Sequence, residues 1–102
     1  MHKLDPIIEI NAICEFGKFP PGLIKVSDKA RPIFMHQGKA YVCSLNTFGH
    51  SFQSGETGNV VIRVIDDAML YEHLGSASEF RLMDGPHEVA SGKSLSYARV
   101  GP

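Results

Sequence analysis

Alternation of apolar and polar positions dominates the chain. Ile8, Ile10, Ala12 and Cys14 fall on one face of a strand read from Ile7 to Phe16, and Ile7, Glu9, Asn11 and Ile13 fall on the other. The first face is uniformly apolar, as in a sheet with one side against a core. Gly17-Lys18-Phe19-Pro20-Pro21-Gly22 reads as loop, and Leu23 to Ala30 then runs to Arg31-Pro32, a proline suited to an edge or a strand start. Ile33 to His36 and Lys39 to Leu45 flank Gln37-Gly38, which predicts a tight hairpin. Asn46 to Asn59 is a polar loop, after which Val60, Ile62 and Val64 face one way and Arg63 the other. Ala68 to Leu74 fits about two helical turns ended by Gly75. Phe80 and Leu82 alternate with Glu79 and Arg81, Asp84-Gly85 signals a hairpin, and a last strand runs from about His87 to Tyr97 with a bulge or bend expected at Gly92. Five or six strands without a long helix predict an all-β fold, a small antiparallel barrel or sandwich formed by a single domain over residues 1–102.

Composition narrows the function. The chain has 102 residues, 43% hydrophobic and 21% charged, enough for one small core. Ten Lys and Arg against eleven Asp and Glu give a net charge of -1, which argues against nucleic-acid binding by bulk charge and leaves room for a local basic patch. Cys14 and Cys43 lie in apolar strand-like runs and read as buried free thiols of a reducing compartment. No apolar run approaches the roughly 18 residues of a membrane span. Met1 to Pro6 shows no signal-peptide hydrophobic region, so a cytoplasmic location is expected.

The order of these segments resembles the C-terminal β-barrel domain of elongation factor Tu. The matching pieces are Arg31-Pro32-Ile33-Phe34, the Ser54-Gly55-Glu56-Thr57-Gly58 turn before Val60 to Ile65, and Phe80-Arg81-Leu82-Met83-Asp84-Gly85 leading to Val89-Ala90-Ser91-Gly92. The resemblance covers about residues 7–95 and implies a closed six-stranded antiparallel barrel standing without a GTPase domain. In that family the loop before Arg-Pro and a basic final hairpin help to form a surface for the aminoacyl-tRNA T stem. Here the hairpin carries Pro86-His87-Glu88, and a carboxylate facing phosphate is repulsive.

Catalytic motifs are poor. Ser91-Gly92-Lys93-Ser94 suggests a P-loop, but His87 stands where its first glycine belongs and no helix pattern follows. His2, His36, His50, His73 and His87 form no metal-ligand spacing, so no metal or other cofactor is expected. His36 and His50 sit near loops and either could meet a carboxylate such as Glu56, which makes a His/carboxylate enzyme the third-ranked reading. Asp66 and Asp67 are adjacent on a strand end and point to opposite faces. Arg63 and Arg81 read as solvated charges near Glu79. The loop from Thr47 to Asn59, holding Phe48 and Phe52, is the best candidate contact surface, unless both rings plug the barrel end. Together these features predict a non-enzymatic module that contacts a protein partner (a decoy, inhibitor or immunity type), with Phe48, Phe52, Arg31, Lys39 and His87 as candidate binding residues. An RNA-binding accessory factor using Lys18, Lys25, Lys29, Arg31 and Lys39 is the alternative.

Overall fold

The computed structural model describes residues 7–65, 67–75 and 78–100. His2, Asp66 and the segment Met1 to Pro6 lie outside the described residues. Strands β1 (Ile7–Phe16), β2 (Ile33–His36), β3 (Lys39–Asn46), β4 (Thr57–Ile65), β5 (Glu79–Asp84) and β6 (His87–Val100) form a closed antiparallel barrel in the order β1-β4-β3-β2-β5-β6. One short helix, α1 (Ala68–His73), follows β4.

The alternation read from the sequence sets the walls. Ile8, Ile10, Ala12, Cys14 and Phe16 from β1 point inward, with Phe34, Cys43, Leu45, Val60, Ile62, Val64, Phe80 and Leu82 from the other strands. Register fixes these faces: Ile8 lies opposite Val64, and Ile10 opposite Ile62. A slip of one residue would turn both rows outward. Val61 is buried although it faces away from this core, in register with Asn11 and Asn46.

The last strand departs from the expectation of a bulge at Gly92. Its irregularities lie on either side, at Val89 opposite the Leu82/Met83 step and at Leu95 opposite the Asn11/Ala12 step. The first explains why consecutive Val89 and Ala90 are both buried, because an extra residue resets the alternation. Gly92 has a different role. A Cβ there would lie 2.5 Å from Phe80 Cζ and 2.7 Å from the Ile13 carbonyl oxygen, so its missing side chain is what admits the Phe80 ring. The last hairpin also turns one residue later than Asp84-Gly85: Asp84 pairs with His87, leaving Gly85-Pro86 as the loop, with Gly85 at φ 60°.

The barrel has two different ends. Antiparallel pairing collects the β2–β3 hairpin, the start of β1, the end of β6 and α1 at one end. Segments 17–32 and 47–56 and the β5–β6 hairpin collect at the other. α1 covers its end with buried Leu70 and with Leu74, the residue that caps it. Its first turn is closed by Asp67, whose side chain accepts from Leu70 N at 3.0 Å.

Candidate binding surface at the loop end

Two long segments form a second layer over the loop end. Phe16 N donates to Glu56 O and Gly55 N to Phe16 O, both at 2.8 Å. Val26 and Phe52 exchange two backbone hydrogen bonds, each 2.8 Å, in an isolated antiparallel bridge. Ser54 Oγ reaches Gly17 O at 2.6 Å. The backbone of both loops is therefore fixed by its own hydrogen bonds, which is what a loop needs in order to present side chains in one geometry.

The two aromatic residues of the 47–59 loop have opposite fates. Phe52 is buried, stacked on Phe16 at 4.4 Å between centroids, and seals the barrel. Phe48 is 66% exposed. It occupies the first central position of a turn in which His50 N donates to Thr47 O at 3.1 Å. Phe48 has φ 56° and Gly49 φ 80°, a mirror-image type I turn that ordinarily takes Asn or Gly in the first position. The turn is braced by Asn46 Oδ1, which accepts from Phe48 N at 2.9 Å, and by buried Thr47, whose hydroxyl donates to His50 O at 2.7 Å. A large aromatic residue is thus held in left-handed backbone with its ring in water. Such conformations cost of order 1–3 kcal/mol and cluster at functional sites.

Cations line the neighbouring segment. Lys18, Lys25, Lys29 and Arg31 are all exposed, with Asp28 the one acid between residues 17 and 32. Arg31 is positioned by its own loop, donating from Nη1 to Asp28 O at 3.0 Å and to Ala30 O at 2.9 Å. Past the Val26–Phe52 bridge the segment turns, with Ala30 N donating to Ser27 O at 3.0 Å, and leads through Arg31 and Pro32 into β2 at this same end of the barrel. Exposed Ile24 adds a second apolar side chain to this segment. His87 is exposed on the β5–β6 hairpin of the same end.

Lys39 does not belong to this surface. It begins β3 at the opposite end, where its Nζ approaches Met69 Sδ at 3.7 Å. His36 and His50 are likewise separated, because β3 runs between them from one end of the barrel to the other. The site imagined from that histidine pair is therefore not assembled. His50 does meet Glu56, at 3.3 Å on the surface. Glu56 also accepts from Gln53 N at 2.6 Å. That backbone donor, followed by His50, holds its carboxyl below the usual range. Arg63 pairs with Glu9 at 2.9 Å, and Arg81 with Glu88 rather than Glu79 at 3.6 Å.

His36 itself is buried rather than on the surface, and its Nε2 lies 2.8 Å from Ser78 Oγ. The Ile33 to His36 alternation already carried that signal, since His36 shares the phase of core residue Phe34. A groove of about 860 Å³ runs along the outer wall beside this pair, bordered by Met35, Gln37, Arg81 and Lys93. Gly38 and Gly92 also line it. The His36–Ser78 distance would suit a base and nucleophile. Among the described residues no carboxylate bonds to the ring to orient it, as a triad requires. Cys14 and Cys43 are free thiols, and burial is the main cause that pushes each up to about 12, far from a reactive thiolate. Among the described residues no group of three or more His, Cys, Asp or Glu is placed to hold a metal, and no helix is long and apolar enough to cross a membrane. No protein-family model and no curated protein matches the chain.

Proposed function

We propose that this chain is a non-catalytic binding module that docks a protein partner on its loop end, with Phe48 as the apolar anchor and Lys25, Lys29 and Arg31 as a cationic rim. The observation that carries this reading is the exposed, left-handed Phe48 on a braced turn. An anchor ring that fills a partner's pocket, surrounded by polar contacts, is the usual arrangement of an interface hot spot. The rim favours a partner with carboxylates around that pocket. On the elongation factor Tu resemblance of the sequence, a partner that ordinarily meets that factor is the first to try. The setting we propose is the cytoplasm, in keeping with two thiols left unpaired.

Affinity capture with the wild type and with Phe48→Ser, from a lysate of the source cell, tests the reading. A protein retained by the wild type and lost from a Phe48→Ser variant of unchanged melting temperature supports it. Equal retention by both removes Phe48 as the anchor.

The four cations of residues 17–32 favour a second reading, an RNA contact on the same face. Phosphate contacts give affinity that falls steeply with salt. RNA binding that weakens sharply between low and moderate salt, and further in Lys25→Ala/Lys29→Ala, would favour this reading; salt-insensitive binding would eliminate it.

A further inference from the structure

The helical end of the barrel is closed by a chain of polar contacts that converge on one buried histidine. His36 Nε2 meets Ser78 Oγ. Ser78 N donates to Ser94 Oγ at 3.1 Å, and Ser94 N returns a bond to Ser78 O at 2.9 Å. The Ser94 hydroxyl, fully buried, donates to Gly75 O. Tyr97 Oη donates to Leu74 O at 3.0 Å, and its ring packs edge-on against Tyr71. These contacts tie α1 and the residues after it to β6, while His36 ties the same connection to the tip of the β2–β3 hairpin.

The surroundings of His36 suit a neutral ring. It is covered on all but 3% of its surface, yet shallowly, since it forms part of the wall of both the groove and a smaller cleft of about 160 Å³ beneath α1. From β3 the groups facing it are Lys39 and Tyr41, and from α1 His73, with Asp67 at the helix start. From β5, β6 and β1 the groove brings Glu79, Arg81, Lys93 and Glu15 to its rim. Among the described residues none of these carboxylates forms an ion pair with His36. A proton on this ring would create a covered cation whose neighbours beneath α1 are a lysine and another histidine.

We propose that His36 is an acid-operated latch: protonation drives its ring out from beneath α1, breaks the contact with Ser78 and loosens α1, Leu74 and Gly75 from the barrel mouth while the six-stranded wall stays closed. The hydrogen bond alone is not the trigger, because a protonated ring can still donate to Ser78 Oγ. The trigger is the covered charge. Burial, and then His73, hold the ring's proton affinity below that of an ordinary histidine. By linkage the closed form is favoured above about pH 6.5 and loses that advantage as pH falls through the ring's own titration. On full protonation the opening equilibrium rises by the same factor by which the closed form weakens the ring's proton affinity.

The test follows the histidine rings by NMR from pH 7.5 to 4.5, together with exchange of the α1 amides corrected for intrinsic rate. In the wild type the midpoint of α1 loosening should coincide with that of His36, below the ordinary histidine value. His36→Gln, which can still hydrogen-bond Ser78 but cannot charge, should make α1 exchange independent of pH over this range. His73→Gln removes one repulsive neighbour and should move both midpoints upward together. If His36→Gln does not fold, the wild type and His73→Gln decide the matter. Loosening that persists with pH in His36→Gln, or an α1 midpoint that parts from that of His36, overturns the latch.

Discussion

The ring of Phe52 lies nearly parallel to that of Phe16, 14° between planes, and fills the space in which Gly58 would otherwise carry a side chain. One loop residue thereby closes the barrel and explains a glycine inside β4. Phe52→Ala removes a ring that is almost wholly buried and should cost about 3–5 kcal/mol, measured by chemical denaturation. Gly58→Ala should be damaging for the converse reason, since its methyl group meets a ring held against Phe16.

Phe48 should behave in the opposite way. Its ring contributes little to the core, and its backbone sits where L-residues other than Asn pay of order 1–2 kcal/mol. Phe48→Asn should therefore raise stability by roughly 0.5–1 kcal/mol while abolishing capture of the partner. A gain in melting temperature with loss of binding would mark a residue kept for contact. A loss of stability would mean that the ring packs in a way its exposure does not indicate.

Gly92→Ala tests the close approach inside β6. The added methyl would press on the Phe80 ring and on a backbone oxygen, and the backbone has little room to yield. Overpacking of this kind costs typically about 1–3 kcal/mol. A neutral result in thermal unfolding would mean that Phe80 repacks into the groove.

Ile62 and Arg63 read the register of β4. Ile62 is fully buried and Ile62→Ala should cost about 2–5 kcal/mol. Arg63 points outward to Glu9, so Arg63→Ala loses a half-exposed pair and should cost about 0.2–1 kcal/mol. If the order of the two effects were reversed, the inward and outward faces of this strand would be exchanged.

Much of this architecture could be read from the chain before any coordinates. Ile7 to Phe16 and Phe80/Leu82 alternate cleanly, and Gln37-Gly38 marks a turn, so β1, β5 and the first hairpin follow from short-range rules. The bulges at Val89 and Leu95 do not, because they depend on which partner residue each strand meets across the barrel. The same limit applies to the site. Phe48 and Arg31 could be chosen by type and loop position, but Phe48-Gly49 lacks the Asn that usually announces its turn. Lys39 looked like part of the same basic set, and only closure of the barrel puts it at the far end. The clasp around His36 joins residues 36, 75, 78 and 94, contacts too distant in sequence for periodicity to register.

Acid should act on the loop end through Glu56. Its carboxylate is held chiefly by Gln53 N and secondarily by His50, and both favour the charged form. Its folded pKa therefore lies below the unfolded value near 4.5, so the stability it adds is present above that pH and fades as pH falls through the folded titration. His50→Ala removes the smaller cause only. In that variant the Glu56 carboxyl, followed by NMR, should titrate at higher pH than in the wild type but still below 4.5, because the backbone donor remains. An ordinary titration in His50→Ala would show that the histidine, and not the Gln53 amide, orders this turn.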